Sequence, residues 1–482
     1  MKKNILISFG SLSIVSSSML LLIGAACNPN LTSTNSSTQK IVAKVWTTLP
    51  DKSALLKVDS QSFSPNKNTS SVITVDSATR YQTMDGFGFA LTGGSAQLMM
   101  QKLTADVRTN LLRELFLTDN NGIGISYLRI SMGSSDLDET VFSYDDMPAS
   151  QTDPGLTNFN LSVDKLYLIP VLQEIIRLRP DIHLMASPWS APAWMKSNQN
   201  ARGGSLNTSN YAVYAAYFVK YVQAMAAAGI NIEAVTLQNE PENPDNTPSM
   251  LMTAPEEALF VKSYLGPAFQ QANLKTKIVV FDHNCDHPQY PISILQDSEA
   301  YPYIDGSAFH LYLGDISALS QVQSMFPKKN IYFTEQWTSG KGNFGGDLRW
   351  HVRNLIVGAS RNWSKNVLEW NLASDENFSP HTDGGCTLCQ GALTINSASA
   401  SITRNVSYYI IAHASKFVPS GSVRIGSNYV DDLYNVAFLT PQGKKVLVVV
   451  NDGTANINFT ISFRGMYLNS MLPVGAVATY MW

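Results

Sequence analysis

The chain has 482 residues, 44% of them hydrophobic and 15% charged, a globular balance with material for a large core and a smaller second domain. A formal net charge of −3 removes the electrostatic case for binding nucleic acid or another polyanion.

In chain order, residues 1–27 read as an export signal: Lys2 and Lys3 precede an apolar run that ends in "LLIGAAC". The small residues before Cys27 resemble a lipoprotein box, in which the Cys is lipidated, although Gly24 stands where Leu is more frequent. Residues 28–40, rich in Ser, Thr and Asn, have the composition of a tether. No other stretch is long and apolar enough to span a bilayer, so contact with a membrane is expected only through a lipid anchor. Within residues 41–78, "IVAKVWTTL" is strand-like and is expected to join a β domain farther along the chain.

Residues 79–402 alternate between strand and helix patterns. Strands are predicted at 86–91, 126–131, 182–187, 232–237, 277–282, 306–311, 330–335 and 367–372. Amphipathic runs such as 163–179 and 211–229 lie between them, the second stopped by Gly229. Eight such strands with helical crossovers predict a (β/α)8 TIM barrel. A G-x-G-x-x-G dinucleotide fingerprint is absent, which argues against a dehydrogenase. Residues 403–482 change to short alternating strands with Gly, Asn and Pro turns. They predict an antiparallel β-sandwich side domain, made discontinuous by residues 41–78.

Cys386 and Cys389 sit in the Gly-rich stretch "DGGCTLCQGA". Zinc would need further ligands, and only His381 is near, so a local disulfide is the expectation for an exported chain and no metal is assigned. Cys285 is left over as a free thiol.

In a TIM barrel the reacting groups gather at the C-terminal ends of the strands. Those ends carry Arg129, Trp189, Asn239 with Glu240, His283, His310 with Tyr312, Glu335, and Trp370 with Asn371. Two acids, on strands four and seven, thus point into one mouth rimmed by aromatics. Paired carboxylates across a pocket are what glycosidic hydrolysis needs, one protonated to help the leaving oxygen and one ionised to attack or to activate water. Glu242 reads as a loop acid, and His283 equally well as a core histidine or a site residue.

"TLQNEPE" and "YFTEQW" resemble the acid/base and nucleophile signatures of glycoside hydrolase family 30, which includes glucosylceramidases and β-1,6-glucanases. "DGFGFALTGGSA", "YLRISMGSSD", "ASPWSAPAWMKSN", "FDHNCD", "AFHLY" and "EWNLA" follow the family's order across nearly the whole mature chain. The resemblance implies Glu240 as general acid/base and Glu335 as nucleophile. It implies Asn239 as the partner of the sugar 2-hydroxyl, Asp136 and Trp189 as holders of its outer hydroxyls, and Trp370 as the floor of the subsite. Arg129, His310 and Tyr312 are implied as supports around the nucleophile. Gly93 stands where many members carry Asp, and the "GGCTLCQG" loop is absent from animal glucosylceramidases. The expected activity is retaining hydrolysis of a β-1,6-glucan or another β-glucoside, without a cofactor. The alternatives are a glucosylceramidase or broad β-glucosidase and, in another class, an inactive glycan-binding lipoprotein.

Overall fold

Eight parallel strands close on themselves: Gly86–Ala90, Tyr127–Ser131, His183–Ser187, Ala234–Thr236, Lys277–Cys285, Ile304–Gly314, Asn330–Glu335 and Ser364–Asn371. The structure, a computed structural model, describes residues 41–482, so the predicted export signal and tether lie outside the described residues. Each strand falls where the sequence predicts one, and pairing of the eighth with the first, from Asn366 opposite Gly86, shuts the barrel. Strands so enclosed are covered on both faces, and every residue of Gly86–Ala90 and Tyr127–Ser131 is buried.

The crossover helices follow the predicted stripes. The helix expected from residue 163 begins at Leu168, which leaves Pro170 in its first turn, where a missing N–H costs nothing. Tyr211–Ala227 ends just before Gly229, whose φ of +80° serves the stop.

Inside the barrel, side chains stack in layers. Tyr127, Met185, Ala234, Val279, Ala308, Tyr332 and Leu368 form a dry lower layer. Two residues farther along their strands, Arg129, Ser187, Thr236, His310, Thr334 and Trp370 begin a polar one, as the period of two requires. Strand five breaks the count. Phe281 and Asp282 have φ of +78° and +61°, and the register against strand six slips between Phe281 and His283. This bulge turns Asp282 inward, three residues after Val279.

The β domain is discontinuous, as expected. Val42–Thr48, Lys57–Ser62 and Val72–Thr83 join six strands between Val423 and Met481 in a nine-stranded array around Val45, Ile73, Leu447, Phe459 and Tyr480. Two details differ from the expectation. Val72–Thr83 pairs in parallel with Ile457–Phe463, so the domain is not purely antiparallel, and it runs past residue 78 almost to the first barrel strand. The segment after residue 403 opens with a helix, Val406–Ser415, packed against the first barrel strand and against Val477–Met481. Nine of its ten residues are buried, so it has no polar face to mark it as amphipathic. The helix thus lies at the junction of the barrel and the β domain.

Gly93 opens a helix beside the barrel mouth, and a Cβ there would lie 1.7 Å from Asp138 Oδ1. The room that an aspartate would need at this position is taken by the carboxylate of Asp138.

Candidate active site

Arg129 organises the mouth from below. Its Nη1 donates to Glu335 Oε2 at 2.6 Å, and its Nη2 to Asn239 Oδ1 at 2.6 Å and Asp282 Oδ2 at 2.7 Å. Nε reaches Ser187 Oγ at 3.1 Å. One fully buried guanidinium thus ties strands three, four, five and seven together, a task suited to its rigid fork of donors.

Asp282 is the second hub. Its carboxylate also accepts from Thr236 Oγ1 at 2.8 Å and Thr334 Oγ1 at 2.6 Å, and His310 Nε2 lies 3.1 Å away. Burial opposes its charge, yet Arg129 and then His310 hold the carboxyl well below the usual range.

The two acids face each other across His310, whose Nδ1 is 3.5 Å from Glu240 Oε1 and 3.8 Å from Glu335 Oε1. These legs bring the two Oε1 atoms within about 7 Å of each other, a spacing that admits the roughly 5–5.5 Å carboxyl separation of retaining glycosidases. Glu240 has a φ of +47°, a left-handed backbone that returns its side chain to the mouth, and its N–H donates to Asp282 O at 3.1 Å. Its Oε2 accepts from Asn243 Nδ2 at 2.8 Å. Tyr312 OH donates to Glu335 Oε1 at 2.8 Å, so both Glu335 oxygens are held.

The charges are unevenly distributed. Burial raises the Glu335 carboxyl against the pull of His310 and Arg129. Burial works the same way on Glu240, but His310 and His283 win and hold it at about 2. Burial lowers His310, and Glu335, Asp282 and Glu240 more than reverse that, to about 9. Of Glu240 and His310, the imidazole is therefore the group whose surroundings favour a proton.

Trp189 and Trp370 stack at 5.3 Å, with the Arg129 guanidinium 4.7 Å from the Trp189 ring centre. The cavity they line measures about 730 Å³ and is also lined by Asp136, Glu240, His283, Tyr312, Trp337 and Glu335. Cys386 and Cys389 are disulfide-bonded, and the Cys386 N–H donates to Asp136 Oδ2 at 3.3 Å. Ser339 pairs with Cys389, which fastens that loop to the segment after strand seven. Burial, then Glu335 and Glu240, push the Asp136 carboxyl up to about 7. Trp189 Nε1 has no protein partner and is left as a donor.

Arg129, Asp136, Trp189, Asn239, Glu240, His310, Tyr312, Glu335 and Trp370 thus come together as the sequence expects, and Cys386–Cys389 walls the same cavity. Cys27 lies outside the described residues. Asn371 turns away to accept from Ser95 Oγ at 2.8 Å, and Glu242 sits at the rim against His287. His283 faces Glu240 and not a core. Cys285 is a buried free thiol. The hub Asp282 is absent from the sequence expectations; its only trace there is the motif "FDHNCD". Paired acids, one firmly oriented and one beside a proton store, in a pocket floored by tryptophans, can cleave a glycosidic bond.

Comparison with known proteins agrees. Residues 84–418 match the Glycosyl hydrolase family 30 TIM-barrel domain and residues 421–480 the Glycosyl hydrolase family 30 beta sandwich domain. An endo-1,6-beta-D-glucanase of Aspergillus fumigatus is 32% identical over 86% of this chain and 88% of its own. The mouse lysosomal acid glucosylceramidase is 28% identical over 86% and 84%. The solved structure of the endo-beta1,6-glucanase BT3312 superposes with a TM-score of 0.85 at 35% identity, covering 91% of this chain and 99% of that one. With barrel and sandwich both matched, in order and along one chain, the protein belongs to glycosyl hydrolase family 30 and is a glycosidase.

Proposed function

We propose that this enzyme hydrolyses β-1,6-linked glucan with retention of configuration. The observation that carries the chemistry is the facing pair Glu240 and Glu335, bridged by His310, with Arg129 and Tyr312 holding Glu335. In the first step a Glu335 oxygen bonds to the anomeric carbon as the glycosidic C–O bond breaks, and Glu240 gives its proton to the leaving oxygen. In the second, Glu240 takes a proton from water, and the resulting hydroxide displaces Glu335 from the sugar. A sugar seated in the cavity strips water from Glu240 and so raises its carboxyl, which takes up the proton held on His310, 3.5 Å away, before passing it to the leaving oxygen.

For the substrate, support comes from the endo-1,6-beta-D-glucanase relatives and from the wet character of the rim, where Asn243, Asp245, Asn246 and Gly384 offer partners to hydroxyls. Azide tests the mechanism. Glu335→Ala should lose turnover and recover it as an α-glycosyl azide, whereas Glu240→Ala should give the β-azide on substrates with good leaving groups. The opposite products would exchange the two roles, and inverted sugar from the wild type would remove the covalent intermediate.

A second reading, glucosylceramide hydrolysis, is favoured by one feature: Leu313, 59% exposed, stands with Trp337 as an apolar shoulder on the cavity. We expect kcat/KM on β-1,6-gluco-oligosaccharides to exceed that on the detergent-dispersed lipid by at least about 10-fold, roughly 1.4 kcal/mol. We further infer from residues 1–27 that the enzyme is exported and tethered through a lipidated Cys27. An N-terminal peptide beginning at any other residue would remove the anchor.

A further inference from the structure

Two imidazoles converge on one oxygen of Glu240. His310 Nδ1 lies 3.5 Å and His283 Nδ1 3.9 Å from Oε1, and the three atoms fall within 4.8 Å of one another. Both Nδ1 atoms are buried and have no hydrogen-bond partner. The rings meet at 88°, so their edges address a common point instead of stacking. The other Glu240 oxygen is already occupied by Asn243, which leaves Oε1 free.

Tetrahedral coordination at about 2.0–2.1 Å sets ligand atoms roughly 3.4 Å apart, so these three need to close by only a fraction of an ångström to about one and a half. The outer shell is also in place. His310 Nε2 is held by the Asp282 carboxylate at 3.1 Å, the arrangement that orients a metal-binding imidazole, and Asp282 is itself fixed by Arg129 and Thr334. Asp136 and Glu335 bring further carboxyl oxygens to the same cavity. Two imidazoles and one carboxylate, with a fourth position open to water, suit zinc or copper better than magnesium or calcium.

We propose that Glu240, His283 and His310 form a binding site for a zinc-class divalent ion, and that occupancy shuts the enzyme off by withdrawing Glu240 from proton transfer. The ion is an inhibitor that displaces the His310 proton to solvent as it binds, and it takes no part in the reaction. The inhibitory consequence rests on the role proposed for Glu240; the binding does not.

The test uses chelator-treated enzyme titrated with Zn2+ by calorimetry, and with Co2+ by visible absorption. Hydrolysis is followed in parallel, each variant normalised to its own metal-free rate. Expected are one ion per chain, loss of activity restored by chelator, and the intense band of tetrahedral Co2+. His283→Asn and, separately, Glu240→Gln should each weaken Zn2+ binding at least about 10-fold, with melting curves confirming that both are folded. His287→Asn, at the exposed pair with Glu242, and Cys285→Ser should bind as the wild type does. Full-strength binding by His283→Asn, an octahedral Co2+ spectrum, or loss of binding in His287→Asn or Cys285→Ser would overturn the assignment. Calorimetry reads the site whatever the substrate is, so failure of the glucan assignment would leave this result intact.

Discussion

Both ends of the barrel carry charge, and they handle it in opposite ways. At the lower end, Glu233 takes Lys277 Nζ at 2.7 Å together with His183, and Lys365 meets Asp85 at 3.2 Å. These side chains keep some contact with water, and each acid has its own cation. Burial opposes the Glu233 charge, but His183 and Lys277 hold its carboxyl at about 2. At the upper end, Asp282, Glu335 and Glu240 crowd around one guanidinium and one imidazole, all nearly inaccessible. The dry layer from Tyr127 to Leu368 separates the two. Matched pairs near solvent can be left alone by the rest of the fold. A buried surplus of carboxylates cannot, and that unresolved charge is what makes the upper end reactive.

The sharpest break in this contrast is Glu335→Gln. Loss of the carboxylate proposed as nucleophile should lower kcat by at least about 10^4, roughly 5.5 kcal/mol. The same change should raise the melting temperature. Because burial raises the Glu335 carboxyl, the folded state binds more protons than the unfolded one above the ordinary value of 4.5, and stability falls as pH rises through that range. A neutral amide escapes that loss, so calorimetric scans at pH 7 should show the variant melting higher. An equal or lower temperature would mean that the Arg129 contact outweighs burial.

Arg129→Met works in the other direction. It strands Asp282 and Glu335 without their common cation and should cost about 3–5 kcal/mol in urea denaturation.

A third burial regime calibrates the first two. His413 is fully buried and uncharged between Thr48 Oγ1 and Thr479 Oγ1, each 2.9 Å away, and burial lowers it to about 3. Between that value and the ordinary 6.5 the unfolded chain binds the extra proton, so stability rises with pH across this window and falls on acidification. Each unit of acidification below 6.5 should remove up to about 1.4 kcal/mol from the wild type. His413→Gln should flatten the slope by up to one proton, read from melting scans at pH 5, 6 and 7.

The smallest effect is expected at the lower end. Glu233→Gln should leave kcat/KM within about two-fold, roughly 0.4 kcal/mol. A ten-fold loss of activity would show that the dry layer does not insulate the two ends.

Strand positions were legible because short β-branched and aromatic runs alternate with striped helices, and the two acids because each ends such a run. Asp282 was not. Counting by twos from the inward Val279 points it outward, and only the bulge at Phe281 and Asp282, a property of the backbone, reverses it. The helix Val406–Ser415 was hidden for a related reason: with almost every residue buried, it shows no stripe to read. The cavity wall made by Asp136 and Cys386 joins residues far apart in sequence, which local pattern does not reveal.

Strand Val42–Thr48 has one neighbour close in sequence, Lys57–Ser62, and on its other edge lies Val477–Met481. His413 bridges those two edge-sharing strands through Thr48 and Thr479. During synthesis, then, Val42–Thr48 emerges among the first described segments and must wait for more than 400 residues before that edge can be covered. Until then the β domain has an open hydrogen-bonding edge and an incomplete core, the kind of surface that invites pairing with other chains. Final assembly is tied to synthesis of Val477–Met481. A polypeptide shortened by its last strand should suffer at the opposite end of the sequence, where Val42–Thr48 would be left with one partner and protease attack would begin.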